Sequence, residues 1–460
     1  MKLMKKGIAF LTAAAITAAA LTGCGSETKK TDNKTDDSVQ VQTESGGDQT
    51  EDVNEDGTVN NPETVVLDAN KLVFWSLFSG GDGEFMDQMI ADYNDTESGK
   101  DVQSIMLVWA DYYTKLQTGV ASGKGPDIGV SHVSYLPQLV EDGVVEPITP
   151  YLDEIGIDLN EHYSKASIEA VTFEGEVYAM PLDTHAEIMT FNKEILEQAG
   201  VELNDEGQVD INNVDDFYQI CDKIKAVIPD GGSTISMPNS NDEPYRIWWA
   251  VYFQMGGTPM INDDGTKVTM DKDIAVKAAE FVKSLYDRGY VVEGIDDHQK
   301  FFQSGKAGLA FNGTWTTGAY EKTENLDFVS ISFPKLFDNQ SCWADSHSFI
   351  LPVKKDRNEE DSMNAVEFMV HASMDGGVTW AGSGQIPACK DVLENDEYLN
   401  MPFRSAYKDE VDHAVLPSKV STFQAMKQGM LDSLNLLWSK KSDAQTAIDT
   451  LFDELESNLP

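Results

Sequence analysis

Between Lys71 and Gly143, short apolar runs alternate with segments of helical periodicity, and no other feature restricts the fold as strongly. Lys71-Leu-Val-Phe-Trp75 is uniformly apolar, which reads as a strand buried on both faces. A turn at Ser79-Gly-Gly-Asp-Gly83 follows, and Phe85 to Tyr93 carries apolar residues at helical spacing. Val102 to Val108 reads as a second strand, Tyr112 to Ala121 as a second helix ended by Gly123, and Pro126-Asp-Ile-Gly-Val130 as a third strand. Leu136 to Leu139 lies in a short helix stopped by Gly143. Strand, helix, strand, helix, strand implies an α/β body with a mostly parallel sheet and helices on its faces. Ligands of such sheets bind beyond the carboxyl ends of the strands. That places Trp75, Trp109 and the segment around His132 on one rim.

The start of the chain reads as an export signal. Lys2, Lys5 and Lys6 precede an Ala-rich apolar run from Gly7 to Ala20, too short for a good membrane span. Leu21-Thr22-Gly23-Cys24 then resembles the cleavage and lipidation site of a bacterial lipoprotein, in which Cys24 becomes the lipid-bearing N-terminus. Residues 1–23 are thus expected to be removed. The mature protein is expected on the outer face of the cell membrane, anchored through acyl chains rather than spanning. Residues 24–66 are rich in Asp, Glu, Thr, Asn, Gly and Ser, as expected of an acidic, disordered tether. Within it, Asp52, Asn54, Asp56, Thr58, Asn60 and Glu63 fit the ligand spacing of a twelve-residue calcium loop with Gly57 at its sixth position. No amphipathic helix precedes the match and Pro62 intrudes, so the expectation is an acidic linker.

Of 460 residues, 34 are Lys or Arg and 78 are Asp or Glu, a formal charge of −44. Such a surface is wrong for nucleic acid, and for lying flat on an anionic bilayer. The chain holds four cysteines. With Cys24 lipidated, Cys221, Cys342 and Cys389 allow at most one disulfide; Cys221 falls in an apolar helical pattern, which leaves Cys342 and Cys389 paired or free. No CxxC and no Cys/His cluster signals zinc or redox chemistry.

Further along, Glu187 to Phe191 reads as a strand, and Val214 to Ala226 as a helix capped by Asn213. Tyr245 to Gly256 is an aromatic helix and Ile261 to Val268 a hairpin. Ile274 to Asp287 is a strongly amphipathic helix, and Ala307 to Phe311 a strand. Helices over Ser362 to Ala372, Thr422 to Leu437 and Ala444 to Leu459 complete the body.

Several local sequences recur together in one known family. Ser122-Gly-Lys-Gly-Pro-Asp-Ile128 is followed by Tyr178-Ala-Met-Pro181, then by the Asn192-Lys193 helix start with Ala199-Gly200. Gly256-Gly-Thr-Pro259, Phe302-Gln-Ser-Gly-Lys-Ala-Gly308 and Asn312-Gly-Thr-Trp315 come next, in order. Over residues 68–458 the chain resembles an extracellular solute-binding protein of the sugar-binding, maltose-binding-like type that serves ABC importers. The resemblance implies a two-lobed periplasmic-binding-protein-like fold (type II), with the chain crossing a hinge three times. Carried onto this sequence, lobe 1 is 67–185 plus 342–383, and lobe 2 is 186–341 plus 384–460. It implies a carbohydrate ligand, with a di- or oligosaccharide expected, and membrane permease subunits as partners. A monomer without cofactor is expected.

Sugars present apolar C–H faces and hydroxyl edges, so their sites need aromatic platforms and hydrogen-bonding side chains. In the family, a Trp after the Asn-Gly pair stacks on a sugar ring, which points to Trp315. Asp183 and His185 lie at the first crossing, on the same side of an extended segment. Trp109, Asp111 and Tyr112 follow the second strand; Trp75 ends the first and His132 follows the third. In the aromatic helix at most one of Trp248 and Trp249 is expected to face the cleft, and Trp249 is the choice. Trp343 and His347 flank the second crossing, whereas Trp380 is expected in the core. Convergence of His132, His185 and His347 would suit zinc or nickel. Their long separation and the lack of any HxH or HxxxH argue against it, and no metal is expected.

No Gly-x-Ser-x-Gly elbow, Walker loop or dinucleotide glycine fingerprint occurs. The chain therefore reads as a binder rather than an enzyme. The alternatives are a non-sugar solute on the same fold or a secreted glycoside hydrolase, which would carry similar acids and tryptophans.

Overall fold

The computed structural model describes residues 53–460, apart from 55–56, 97–98 and 263. Cys24, the export segment and the tether up to residue 52 lie outside the described residues, as do Asp52 and Asp56 of the calcium-loop match. Among the described residues, no helix is long and apolar enough to cross a membrane.

Two large sheets, each with its own apolar core, build the body, and among the described residues a two-stranded ribbon, Thr172–Phe173 with Glu176–Val177, stands apart. The first has the order Val102–Met106, Leu72–Ser76, Ile128–His132, His347–Pro352 and Val145–Glu146, with Ala179–Pro181 also pairing on His347–Pro352. The first three strands are parallel, as their intervening helices require, while His347–Pro352 joins them antiparallel. Both faces of Leu72–Ser76 are buried. Phe74 packs between Phe349 and Phe368 at about 6 Å. Burying each such ring stabilises the lobe by roughly 1.5–3 kcal/mol.

The second sheet is organised around Asp183–Asn192, ten residues of which all but Thr184 are buried. Ala307–Gly313, Phe328–Ser332 and Cys342–Asp345 pair with it antiparallel, and Ser233–Ser236 extends the sheet in parallel. The helices Val214–Lys225, Asp242–Gln254 and Lys272–Asp287 cover this sheet. Asn213 caps the first, its side chain accepting from the Asp215 and Asp216 amides.

The two lobes meet at three chain crossings. The first falls at Leu182, between Ala179–Pro181 in one sheet and Asp183–Asn192 in the other. The second is Ser346 alone, with Cys342–Asp345 in lobe 2 and His347–Pro352 in lobe 1. Residues 342–345, expected in lobe 1, therefore belong to lobe 2. The third crossing also comes later than expected. Ile386–Pro387 pairs with the hinge strand, Cys389 and Val392 still pack in the lobe 1 core, and Tyr407 packs with Ile188 of lobe 2.

Packed structure begins earlier than residue 67. Val53 bridges to Val59, and Val59 is buried and bridges to Leu107 of lobe 1. Of the described calcium-loop residues, Asn54 donates to the Thr58 hydroxyl and exchanges hydrogen bonds with Asn60, while Glu63 pairs with Lys124. Cys221, Cys342 and Cys389 are buried and free. Cys342 sits in the lobe 2 sheet and Cys389 in the lobe 1 core, so no disulfide joins them.

Candidate functional site

A cleft of about 420 Å³ is lined by residues of both lobes and of the hinge. That lies in the range of roughly 300–1,000 Å³ usual for small-molecule sites. Lobe 1 supplies Ser79, Gly80 and Asp82 after its first strand, Trp109 after its second, and His132 and Tyr135 from the end of its third. These are the carboxyl ends of parallel strands. Lobe 2 supplies Glu243 and Arg246 from the start of the helix Asp242–Gln254, with His298, Trp315 and Trp343. The hinge segments add His185, Asp345, His347 and Gln385.

Trp315 owes its place to the glycine before it. A Cβ on Gly313 would stand 1.6 Å from Trp315 Cζ3, so the indole lies flat over a backbone that only glycine leaves open. Trp343 stands across from it at 6.5 Å and 85°. The Arg246 guanidinium covers both indoles, 4.7 Å from one ring and 4.5 Å from the other. Behind it, Arg246 and His298 each approach Glu243 Oε2 at 3.3 Å. Burial and the neighbouring Glu243 push the Glu187 carboxyl well up. Against its own burial, His298, Glu187 and Arg246 hold Glu243 below the usual range.

The floor is built around Asp183. Its carboxylate accepts from His347 Nδ1 at 2.8 Å, the His347 amide at 2.9 Å, Trp380 Nε1 at 2.8 Å and His185 Nδ1 at 3.3 Å. Burial opposes its charge, but the two imidazoles outweigh burial and hold the carboxyl far below the usual range. His347 rises above its ordinary value because Asp183 outweighs the cost of burial. Burial and His347 lower His185, and burial with both neighbouring imidazoles lowers His132 strongly. Burial pushes Asp82, on the lobe 1 side, up to about 6, with His347 pulling the other way.

Trp315, Trp343, Trp109, His132, His185 and His347 therefore line one cleft. The other candidates do not reach it. Trp75 is buried under Gly119 in the lobe 1 core, because alternation along the strand turns it toward the helix Tyr112–Ser122. Tyr112 is fully buried, its hydroxyl donating to the Trp75 carbonyl and accepting from the Val130 amide. Trp249 is buried with Nε1 donating to the Val415 carbonyl, and Arg246, one turn earlier, takes the cleft-facing position. Asp111 is exposed and paired with Lys115 at 3.0 Å; its side chain caps nothing. Asp183 lies beneath the floor with its side chain fully covered, so it positions histidines rather than meeting a ligand.

Asp82, Tyr135, Glu243, His298, Asp345 and Gln385 also line the cleft, without having been singled out in the sequence. Asp82 was within reach, since it sits in the turn after the first strand. Asp345 and Gln385 depend on hinge register and carry no local signal.

A family model for bacterial extracellular solute-binding proteins matches residues 88–403. This chain belongs to that family. Among its relatives is the maltotriose-binding protein of Pyrococcus abyssi, 21% identical over 406 residues, covering 85% of this chain and 83% of that protein. The GacH receptor of Streptomyces glaucescens, solved unliganded and with acarbose, superposes with a TM-score of 0.73 at 18% identity. The match covers 85% of this chain and 98% of that one. UgpB of Mycobacterium tuberculosis, solved with glycerophosphocholine, gives 0.74 at 16% identity, covering 85% and 99%. The two-lobed maltose-binding-like fold is thus common to solute-binding proteins crystallised with quite different ligands.

Proposed function

We propose that this solute-binding protein captures a carbohydrate, of di- or oligosaccharide size, and presents it to the permease subunits of an ABC importer. It works outside the cell, as a monomer held to the membrane by lipid on Cys24. The observation that carries the ligand class is the pairing of the indoles of Trp315 and Trp343 with a polar floor in a single cleft. Indole faces suit the C–H faces of pyranoses, while Asp82, Asp345, Gln385 and the imidazole nitrogens offer partners to hydroxyls. Leaving one buried hydroxyl partner unpaired costs about 1–3 kcal/mol, enough to select among sugars. Similarity to a maltotriose-binding protein supports the same class.

An anionic solute is disfavoured by charge. Arg246 is engaged by Glu243, Lys427 pairs with Asp242 at 2.5 Å, and the lining adds Asp82, Asp296 and Asp345. The reading requires no bond to be broken; a bound oligosaccharide leaves unchanged.

Thermal melting against a panel of mono- and oligosaccharides tests the proposal. A ligand at a hundred times its Kd adds about 2.7 kcal/mol of stability, a clear rise in Tm. Trp315→Ala is expected to weaken that ligand at least about tenfold, equivalent to about 1.4 kcal/mol, with little change in the unliganded Tm. No shift with any sugar, alongside a shift with a non-sugar solute, would replace the ligand class.

A further inference from the structure

We propose that His132, His185 and His347 form a binding site for a divalent transition-metal ion, of the zinc, nickel or copper class, at the floor of the cleft. The inference goes beyond the carbohydrate reading and does not depend on it.

The fold overrides the separation of these residues in sequence. His347 is the register partner of His132 where the strands His347–Pro352 and Ile128–His132 run antiparallel. His185 stands near the start of the hinge strand, in register with Asp345. The ring centroids lie 4.2 Å apart for His185 and His347, 4.6 Å for His132 and His347, and 5.4 Å for His132 and His185. One ring nitrogen from each histidine falls within 4.8 Å of the other two. Three nitrogens on a tetrahedral ion at about 2.0–2.1 Å are about 3.3 Å apart, so each need move inward by less than about 1 Å. All three side chains start from β-strands, which hold such a constellation more firmly than loops.

The hydrogen bonds leave the right atoms available. Asp183 cannot donate, so its contacts with Nδ1 of His185 and of His347 place the proton of both rings on Nδ1. Nε2 of each ring carries a lone pair whenever the ring is neutral. His132 Nδ1 meets the Tyr113 hydroxyl at 2.7 Å, and that hydroxyl also accepts from the His132 amide at 2.8 Å. A ligating histidine whose other nitrogen is bonded to a carboxylate or similar group is the usual outer-shell design of protein metal sites. Trp380 Nε1 and the His347 amide, both donating to Asp183, secure that carboxylate in turn.

Three imidazole ligands favour borderline ions over magnesium or calcium, which take oxygen ligands. All three histidines line the cleft, so a fourth coordination position would face the ligand space.

The test uses the full chain, free of any histidine tag and stripped with chelator. Equilibrium dialysis against zinc should leave one tightly held ion per chain. Cobalt should give the visible bands of a four-coordinate site, and excess calcium should not compete. Asp183→Asn should weaken zinc about 10- to 100-fold, and His132→Gln at least as much. His132→Gln leaves the Asp183 network intact and can be checked for folding by its unliganded melt. Failure of the wild type to retain zinc or cobalt at micromolar ion overturns the proposal. So does binding that calcium displaces, or that survives His132→Gln unchanged, since the ion would then sit on surface carboxylates. Sugar-induced stabilisation is scored separately on metal-free protein, so either reading can fail alone.

Discussion

Single side chains divide sharply here by which way one step along the chain turns them. Tyr112 and Tyr113 are neighbours, yet the first bolts Trp75 to Val130 in the core and the second reaches His132 at the cleft. Trp315 is the cleft residue whose position a single neighbour most directly sets, because Gly313 leaves open the space its indole fills. Gly313 has φ −83°, which alanine adopts without strain, so the substitution acts only through the space its methyl fills. Gly313→Ala is expected to lift the indole off the backbone and weaken sugar binding about tenfold or more, while the half-buried ring finds room in the cleft. Titration followed by tryptophan fluorescence measures this; unaltered affinity would mean that the indole does not hold the ligand. Trp315 was legible in the sequence because the Asn312-Gly313 pair marks it locally. Trp75, Tyr112 and Trp249 were misjudged because a residue type at a strand end or on a helix does not reveal which face it occupies. The histidine cluster could be weighed from the sequence but not settled, for another reason. Its members meet only through antiparallel register between distant strands, which no local motif encodes.

At the scale of elements, the helices and parallel strands of lobe 1 were readable because their periodicity is local. The crossings were placed by the family resemblance and not by periodicity, which cannot show that Cys342–Asp345 and His347–Pro352, two strands parted by one residue, serve different sheets. The 3₁₀ turn Lys408–Asp412, which leads into the short strand beside Cys342, was equally invisible. It buries Glu410 completely. Burial pushes that carboxyl up to about 7, and the nearby Cys342 thiol and Ser332 hydroxyl only partly offset it. An unfolded Glu releases its proton near 4.5, so between that pH and 7 the native state holds a proton the unfolded state has lost. Stability must therefore fall as pH rises through this window, by about 3 kcal/mol from this residue. Glu410→Gln cannot ionise and should flatten the decline, melting higher than the parent at pH 8 but not at pH 5. Melts of both proteins at the two pH values decide it. An identical pH slope would show that Glu410 is solvated in the native state.

At the scale of the molecule, the lobes already touch across the mouth of the cleft. Ser134 of lobe 1 donates to Asp345 at 2.5 Å, Gln424 of lobe 2 donates to the Ser134 carbonyl at 3.0 Å, and Lys322 pairs with Glu84. One close approach is at Gly81, where an added Cβ would stand 2.7 Å from the Ala319 methyl of the opposite lobe. Gly81 lies in the loop after the first strand, outside either core, so a side chain there meets the other lobe before it disturbs its own. Gly81→Leu should consequently wedge the jaws apart. A binder whose competent state is closed loses apparent affinity in proportion to the fraction of closed molecules. Tenfold depletion of that state should therefore raise Kd tenfold without altering any ligand contact. The wedge should also increase the radius of gyration measured by small-angle scattering, and leave the unliganded Tm near that of the parent. Any closure about the crossings at Leu182, Ser346 and the stretch after Val392 would be opposed at all three at once by added bulk at Gly81. Wild-type affinity and dimensions in Gly81→Leu would mean that the lobes close elsewhere, or that closure does not govern binding.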